Sequence, residues 1–391
     1  MNAGIYLDHA ATTPVDPMVR DAMLPFLGDV YGNPSSVHRA GRAARNAVDE
    51  ARDRLAAVLQ CAHRELVFTG SGTEADNLAI RGVVERWGEE RGRHIVITAI
   101  EHDAVLETAR RLQEGGEGLV TIVGCDTACR VDPEEVAAAV RPDTALVSVM
   151  FVNNETGVTQ DVAAVAAAVR RRNPRTLIHS DAVQALPRLA VKPDALDVDL
   201  LSMSAHKLNG PKGVGALWVR HGTAIAAQLT GGGQERNRRS GTENVAGIVG
   251  FSVAAEVTAQ RREREMARQT TLCDKLEREL SRRVEGIVFN GNGTNRVPGF
   301  VSCAIPGART DLLLTILDGK GVCASGGSAC SSGAPTPSHV LLAMGLDPEL
   351  ATGALRLTTG IATTESDIAA AGEAVGDAVA QLREARVAAA G

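Results

Sequence analysis

"ELVFTGSGTEADNLAIRGVVERW", residues 65–87, changes character twice within 23 positions. Leu66, Val67, Phe68 and Thr69 suit an extended strand. Gly70 and Gly72 let the backbone turn tightly behind them. From Thr73 onward, Ala75, Leu78, Ala79, Gly82 and Val83 recur at helical spacing and give one small, apolar face. The segment reads as strand, glycine turn, helix, with Thr73 opening the helix. The free N–H groups of such a helix start form a ready anion site, although an ordinary N-cap reads the same way. No G-K-[ST] follows, so this is not a P-loop. A phosphate held without that lysine points to a phosphorylated cofactor rather than a nucleoside triphosphate.

The same alternation extends along the chain. Residues 94–100 (HIVITAI), 144–152 (TALVSVMFV), 176–183 (TLIHSDAV) and 199–204 (DLLSMS) read as strands. Helical patterns cover 43–59, 103–113 and 161–172. Strands alternating with helices predict an α/β fold with a mostly parallel sheet covered on both faces. Ligands then bind at the carboxyl ends of the strands. Residues 255–284 are charged and lack glycine, and predict one long helix leaving the first domain. A large domain is expected over 14–255. A smaller domain is expected from 1–13 and 256–391.

The totals exclude several classes. The chain has 391 residues and a net charge of −6, which argues against nucleic-acid binding as its main task. Only 3% of residues are aromatic, so the core rests on Ala, Val, Leu and Ile. No apolar run approaches the ~20 residues of a membrane span. "MNAGIYLDHAATTP" does not read as a signal peptide. Seven scattered cysteines fit free thiols in a reducing compartment, and a cytoplasmic protein is expected.

Polar motifs follow the predicted strands. Asp181 ends the strand in HSDAVQ, and Gln184 lies three residues on. A carboxylate there either caps a turn or holds a cation. Lys207 follows DLLSMS and adjoins His206, in a chain with five lysines. Most lysines are solvated, but one in such surroundings has its pKa lowered by burial and its neutral amine can attack a carbonyl. A phosphate site, a buried aspartate and a Schiff-base lysine together are the equipment for pyridoxal phosphate. Cys330 sits in ASGGSACSSGAPTPSHVL, among small and hydroxyl residues, and is a nucleophile candidate. Cys323 is read as core. Cys125 and Cys129 are read as loop residues, with no metal expected.

These motifs, in this order, resemble the cysteine desulfurases, a branch of the class V aminotransferases of PLP fold-type I. The resemblance runs almost end to end through YLDHAATTPVDP, GNPSSVHRAGR, FTGSGTEADNLA, EHDAVLET, NNETGV, DAVQA, SAHKLNGPKGVGAL, GGGQERNRRSGTEN, GSACSSG, SHVLLAMG and LRLTTG. It implies a large domain with a mostly parallel seven-stranded sheet flanked by helices, and a smaller α+β domain carrying a catalytic-cysteine loop at about 322–336. It implies that Lys207 carries pyridoxal 5'-phosphate and that His102 stacks on the ring and helps with proton transfer. Asp181 pairs with the ring nitrogen and Gln184 meets the ring hydroxyl. Gly72, Thr73, Ser204 and His206 belong to the phosphate end. Thr242 reaches the phosphate of the other subunit of a homodimer. Asn154 and Arg356 grip the substrate carboxylate.

The reaction implied converts L-cysteine to L-alanine. Lys207 moves the α-proton, Cys330 takes the sulfur as a persulfide, and an acceptor protein receives it. Two departures stand out. The glycine turn reads T-G-S-G-T where T-S-G-G-T is common. The chain ends soon after its last predicted helix, at LREARVAAAG, where members feeding an iron–sulfur scaffold often carry a further tail, so tail-mediated docking is not expected; the acceptor stays open among an iron–sulfur scaffold, tRNA or cofactor thiolation and another sulfur-modification pathway. Selenocysteine lyase shares the cofactor and a similar site. A true class V aminotransferase has no use for Cys330.

Overall fold

The computed structural model describes residues 4–291, 295–327 and 337–390, with side chains to residue 388. Twelve strands occur among them: β1 (Ile5–Tyr6), β2 (Leu66–Thr69), β3 (His94–Thr98), β4 (Leu119–Val123), β5 (Thr144–Ser148), β6 (Leu177–Asp181), β7 (Leu200–Ser204), β8 (Gly215–Val219), β9 (Val288–Phe289), β10 (Phe300–Ala304), β11 (Val322–Cys323) and β12 (Ala354–Thr358). Seven form one sheet in the order β2-β8-β7-β6-β5-β3-β4. Only β8 runs against its neighbours β2 and β7. The expected mostly parallel, seven-stranded α/β sheet is therefore present.

Both faces of this sheet are covered, and the two-residue period of a strand sorts the side chains. Val67, Ile95, Ile97 and Leu146 face one core with Leu78, Ile80 and Val83 of helix Gly72–Arg91. Leu66, Phe68, Val96 and Val147 face the other, against Val48 and Leu55 of helix Arg39–Leu59. Double-sided burial explains why these strands read as apolar runs. The strand of the run at 144–152 ends at Ser148, beyond which the Met150 N–H turns to the Glu101 carboxyl while Val149 and Phe151 still bond to β6 carbonyls.

A second core gathers Leu7, Val301, Leu313, Leu355, Leu357 and Ile368 around the antiparallel sheet β12-β10-β9 and the parallel pair β1-β11. Val340, Leu341 and Met344 pack instead with the first core. One helix, Val245–Arg283, serves both cores and is about 58 Å long at 1.5 Å per residue. Its first part buries Ile248 and Phe251, and its last part buries Leu272, Leu276 and Leu280. It starts ten residues before the expected position at 255. Residues 245–254 are uncharged and mostly buried, so they lack the polar face that marks an amphipathic helix. No helix among the described residues is long and apolar enough to cross a membrane.

The loop before this helix contains three consecutive left-handed residues, Glu235, Arg236 and Asn237, with φ of 47°, 59° and 62°. Such a conformation costs about 1–2 kcal/mol per non-glycine residue. A buried ion pair holds it. Arg52 donates to Glu235 Oε1 at 2.6 Å and to Oε2 at 2.9 Å, and the Phe68 N–H also donates to Oε2. The Arg52 guanidinium stacks 4.6 Å from the Phe68 ring centre. Arg52→Ala strands the Glu235 charge in the interior. It should cost about 3–5 kcal/mol, read as a lower denaturant midpoint, and a midpoint equal to wild type would refute the role assigned to the pair.

Candidate active site

The carboxyl ends of β2, β3, β5, β6 and β7 share one edge of the large sheet, and the polar motifs lie just beyond them. The chain leaves β2 through Gly70, and Ser71 caps helix Gly72–Arg91 by accepting from the Glu74 N–H at 3.0 Å. The helix thus opens at Gly72, one residue before the expected Thr73. A Cβ on Gly72 would lie 2.9 Å from Val183 Cγ2 and 3.2 Å from Ser204 Cβ, so glycine lets the helix start approach β7.

A cavity of about 400 Å³ lies at this edge. It is lined by Gly72, Thr73, His102, Asn154, Asp181, Gln184, Ser204, His206, Lys207 and Arg356. All ten are residues expected there. Thr242 is exposed and does not line this cavity. Cys330 lies outside the described residues. Asp76, Glu155 and His339 also line the cavity and were not expected in it.

Lys207 sits in a short turn directly after β7. Its Nζ donates to the carbonyls of Ala10 at 2.5 Å and Ala11 at 2.7 Å. Burial lowers its pKa from 10.5 to about 8, and Arg356 adds to the effect, while Asp181 and Asp8 oppose it. A neutral amine is therefore accessible near physiological pH.

Asp181 ends β6 and accepts from the Val183 N–H at 2.8 Å. Burial raises its pKa, and His102 and Lys207 pull it back down. His102 caps helix Asp103–Glu114, its Nδ1 accepting from the Ala104 N–H at 3.0 Å. That bond leaves the proton of the neutral ring on Nε2. Burial also lowers the His102 pKa. Gln184 donates to the Ala10 carbonyl at 2.9 Å and accepts from Arg188 at 3.1 Å. His206 lies 3.2 Å from Thr12 Oγ1 through Nδ1, and burial lowers its pKa to about 4.

Arg356, on β12, reaches the cavity from the second core. Its Nη1 donates to the Asn154 and Gly327 carbonyls, at 2.8 and 3.1 Å. Its Nη2 donates to Asp8 Oδ1 at 2.8 Å. Its Nε is buried with no partner among the described residues. Glu155 accepts from Ser338 Oγ at 2.5 Å, and burial raises its pKa.

These residues fit pyridoxal phosphate. The cavity is of ligand size. Ser204 Oγ and Asn154 Oδ1 are buried in its walls without partners among the described residues, as donors and acceptors awaiting a polar ligand would be. The helix start at Gly72 suits a phosphate, Lys207 supplies the amine and Asp181 an anion for a pyridinium nitrogen. Among the described residues no group of three or more His, Cys, Asp or Glu side chains forms a metal site. Burial pushes Cys61, Cys273 and Cys303 up to about 12, 11 and 12, so these thiols are poor nucleophiles.

Comparison with known proteins agrees with this geometry. The family model described as aminotransferase class-V matches residues 5–370. A cysteine desulfurase IscS of Dictyoglomus turgidum is 42% identical over 368 residues, which is 94% of this chain and 92% of the relative. A solved NifS-like protein superposes with a TM-score of 0.90 at 36% identity, over 97% of this chain and 100% of its own. A structure described as SspA in complex with cysteine gives a TM-score of 0.79 at 32% identity, over 90% and 98%.

The buried amine has a measurable consequence for the cofactor-free chain. Between about pH 8 and 10.5 the unfolded chain holds a proton on Lys207 that the folded chain has released. This group therefore makes stability rise with pH across that window, because the cost of burying its charge disappears. Lys207→Met should remove that contribution. Denaturant midpoints measured across the window should show a wild-type slope steeper than that of the variant, and equal slopes would refute the buried-amine assignment.

Proposed function

We propose a working arrangement for this chain, which belongs to the class-V aminotransferase family and, within it, to the cysteine desulfurases. Lys207 carries pyridoxal phosphate, Asp181 faces the ring nitrogen, His102 lies against the ring and Gln184 meets the ring hydroxyl. Gly72, Thr73, Ser204 and His206 hold the phosphate, and Thr242 completes the phosphate site of a second copy in a homodimer. The bound cofactor supplies an electron sink for bonds at the substrate α-carbon.

The remaining tasks fall to side chains. Arg356 and Asn154 hold the carboxylate of L-cysteine; the planar guanidinium suits two parallel bonds to it. Lys207, neutral near pH 8, takes up the α-proton and later returns one. The Cys330 thiolate bonds to the substrate sulfur as the carbon–sulfur bond breaks. The carbon skeleton gains a proton and leaves as alanine. The persulfide on Cys330 then passes its outer sulfur to an acceptor protein. The reaction is placed in the cytoplasm.

One observation carries this reading. A single lysine with its pKa lowered to about 8 shares one cavity with a buried aspartate, a helix start and a buried arginine. The first test is sulfide and alanine release from L-cysteine with reductant. Wild type should give equal amounts, and Cys330→Ala should keep the cofactor's colour but release no sulfide. Normal release from that variant would remove Cys330 from the mechanism, and no release from a coloured wild type would remove cysteine as substrate. Arg356→Lys should raise KM for cysteine at least about tenfold, through loss of the two-bond fork, and an unchanged KM would place the carboxylate elsewhere.

A further inference from the structure

Behind Asp181 lies a second carboxyl group that the reaction above leaves without a task. Asp76 sits in the second turn of helix Gly72–Arg91 and is 1% exposed. It lines the same cavity as Asp181 and Lys207. Its Oδ1 has no hydrogen-bond partner among the described residues.

Side chains from three strands lead to it. Ser148 Oγ of β5 lies 2.8 Å from His179 Nδ1 of β6. His179 Nε2 lies 2.9 Å from Ser202 Oγ of β7 and 3.5 Å from Asp76 Oδ1. The Ser202 hydroxyl also lowers the Asp76 pKa. The register explains the grouping: Ser148 pairs with His179, Asp181 pairs with Ser202, and His179 and Asp181 share one face of β6. Burial keeps His179 neutral, with its pKa lowered to about 3, so the ring brings one proton and no charge.

Two carboxylates in one dry pocket do not both stay charged unless cations compensate them. His102, the Val183 N–H and Lys207 each pull the Asp181 pKa down and so favour its charge. The neighbours of Asp76 oppose its charge. The chief one is Asp181 from β6; Glu101 from the turn after β3 adds less, being itself largely protonated at pH 7, and only the Ser202 hydroxyl acts in its favour. The proton therefore belongs on Asp76.

We propose that Asp76 is a positioning residue, a neutral carboxylic acid that acts through Asp181 and keeps it the single anion facing the cofactor ring. The inference rests on the role given to Asp181 above. It requires no charge at position 76, only the shape and polarity of a protonated carboxyl, which an amide reproduces.

The test compares Asp76→Asn and Asp76→Ala as holoenzymes. The pH midpoint of the bound cofactor's visible absorbance should stay at the wild-type value in the Asn variant and move by at least about half a unit in the Ala variant. Infrared spectra at neutral pH should show a protonated-carboxyl stretch in wild type that is lost in Asp76→Asn. An Ala variant that titrates like wild type, an Asn variant displaced as far as Ala, or an infrared band unchanged in Asp76→Asn would each overturn the proposal. If the Ala variant does not fold, Ser202→Ala, which removes the hydroxyl beside Asp76, is read in its place, and an unmoved midpoint again overturns it. A wild-type chain that takes up no cofactor would refute the Lys207 and Asp181 assignments instead, while the infrared comparison on the cofactor-free chain still decides the protonation of Asp76.

Discussion

Charge kept from water governs this site. One cavity holds an amine, a guanidinium and several carboxyl groups, most of them buried. Each group is held by a different device. Two backbone carbonyls take the Lys207 amine, Asp8 and two carbonyls take Arg356, and a turn N–H takes Asp181. Glu101 has its pKa raised to about 8 by burial and so is largely neutral at pH 7. Its Oε1 still accepts from Thr98 Oγ1 at 2.7 Å and the Met150 N–H at 2.8 Å, tying the ends of β3 and β5 together. Neutralised acids thus act as fasteners, and the charged groups that remain are those placed for chemistry.

This arrangement requires both cores to meet at the cavity. Ala10 and Ala11 follow β1, whose neighbour Leu7 packs in the second core. Arg356 comes from β12 in that same core. Lys207, Asp181 and the Gly72 helix start come from the large sheet. Moving one core against the other would change the surroundings of the Lys207 amine. Helix Val245–Arg283, packed into both, resists that motion.

Much of this was legible in the sequence, for definite reasons. Strands buried on both faces announce themselves as apolar runs, and Lys207 stands out because lysine is rare in the chain. The residues that escaped notice depend on distant partners. Asp8 matters because it meets Arg356, 348 positions away. Glu155 matters because it meets Ser338, and Asp76 because it lies beside His179. Each sits inside a quoted motif (YLDHAATTP, NNETGV or TEADN), but no local pattern says which polar residue of a motif will be buried. The early start of the long helix was hidden for the opposite reason. A fully buried helix segment has no polar face to set its period.

The scarcity of lysine also has a physical reading. Five of the forty-one basic residues are lysines. The buried and half-buried ion pairs use arginine: Arg52 with Glu235, Arg170 with Asp197 and Asp199, Arg239 with Glu74, and Arg356 with Asp8. Arginine keeps its charge in such places and presents a rigid fork, so it holds structure without titrating. Lysine surrenders its proton when buried, which is a defect in a structural pair and a requirement for an amine that must react with a carbonyl. Lys207 stands where that difference is useful, between Arg356, which pushes its proton off, and two carbonyls, which hold the ammonium until it leaves.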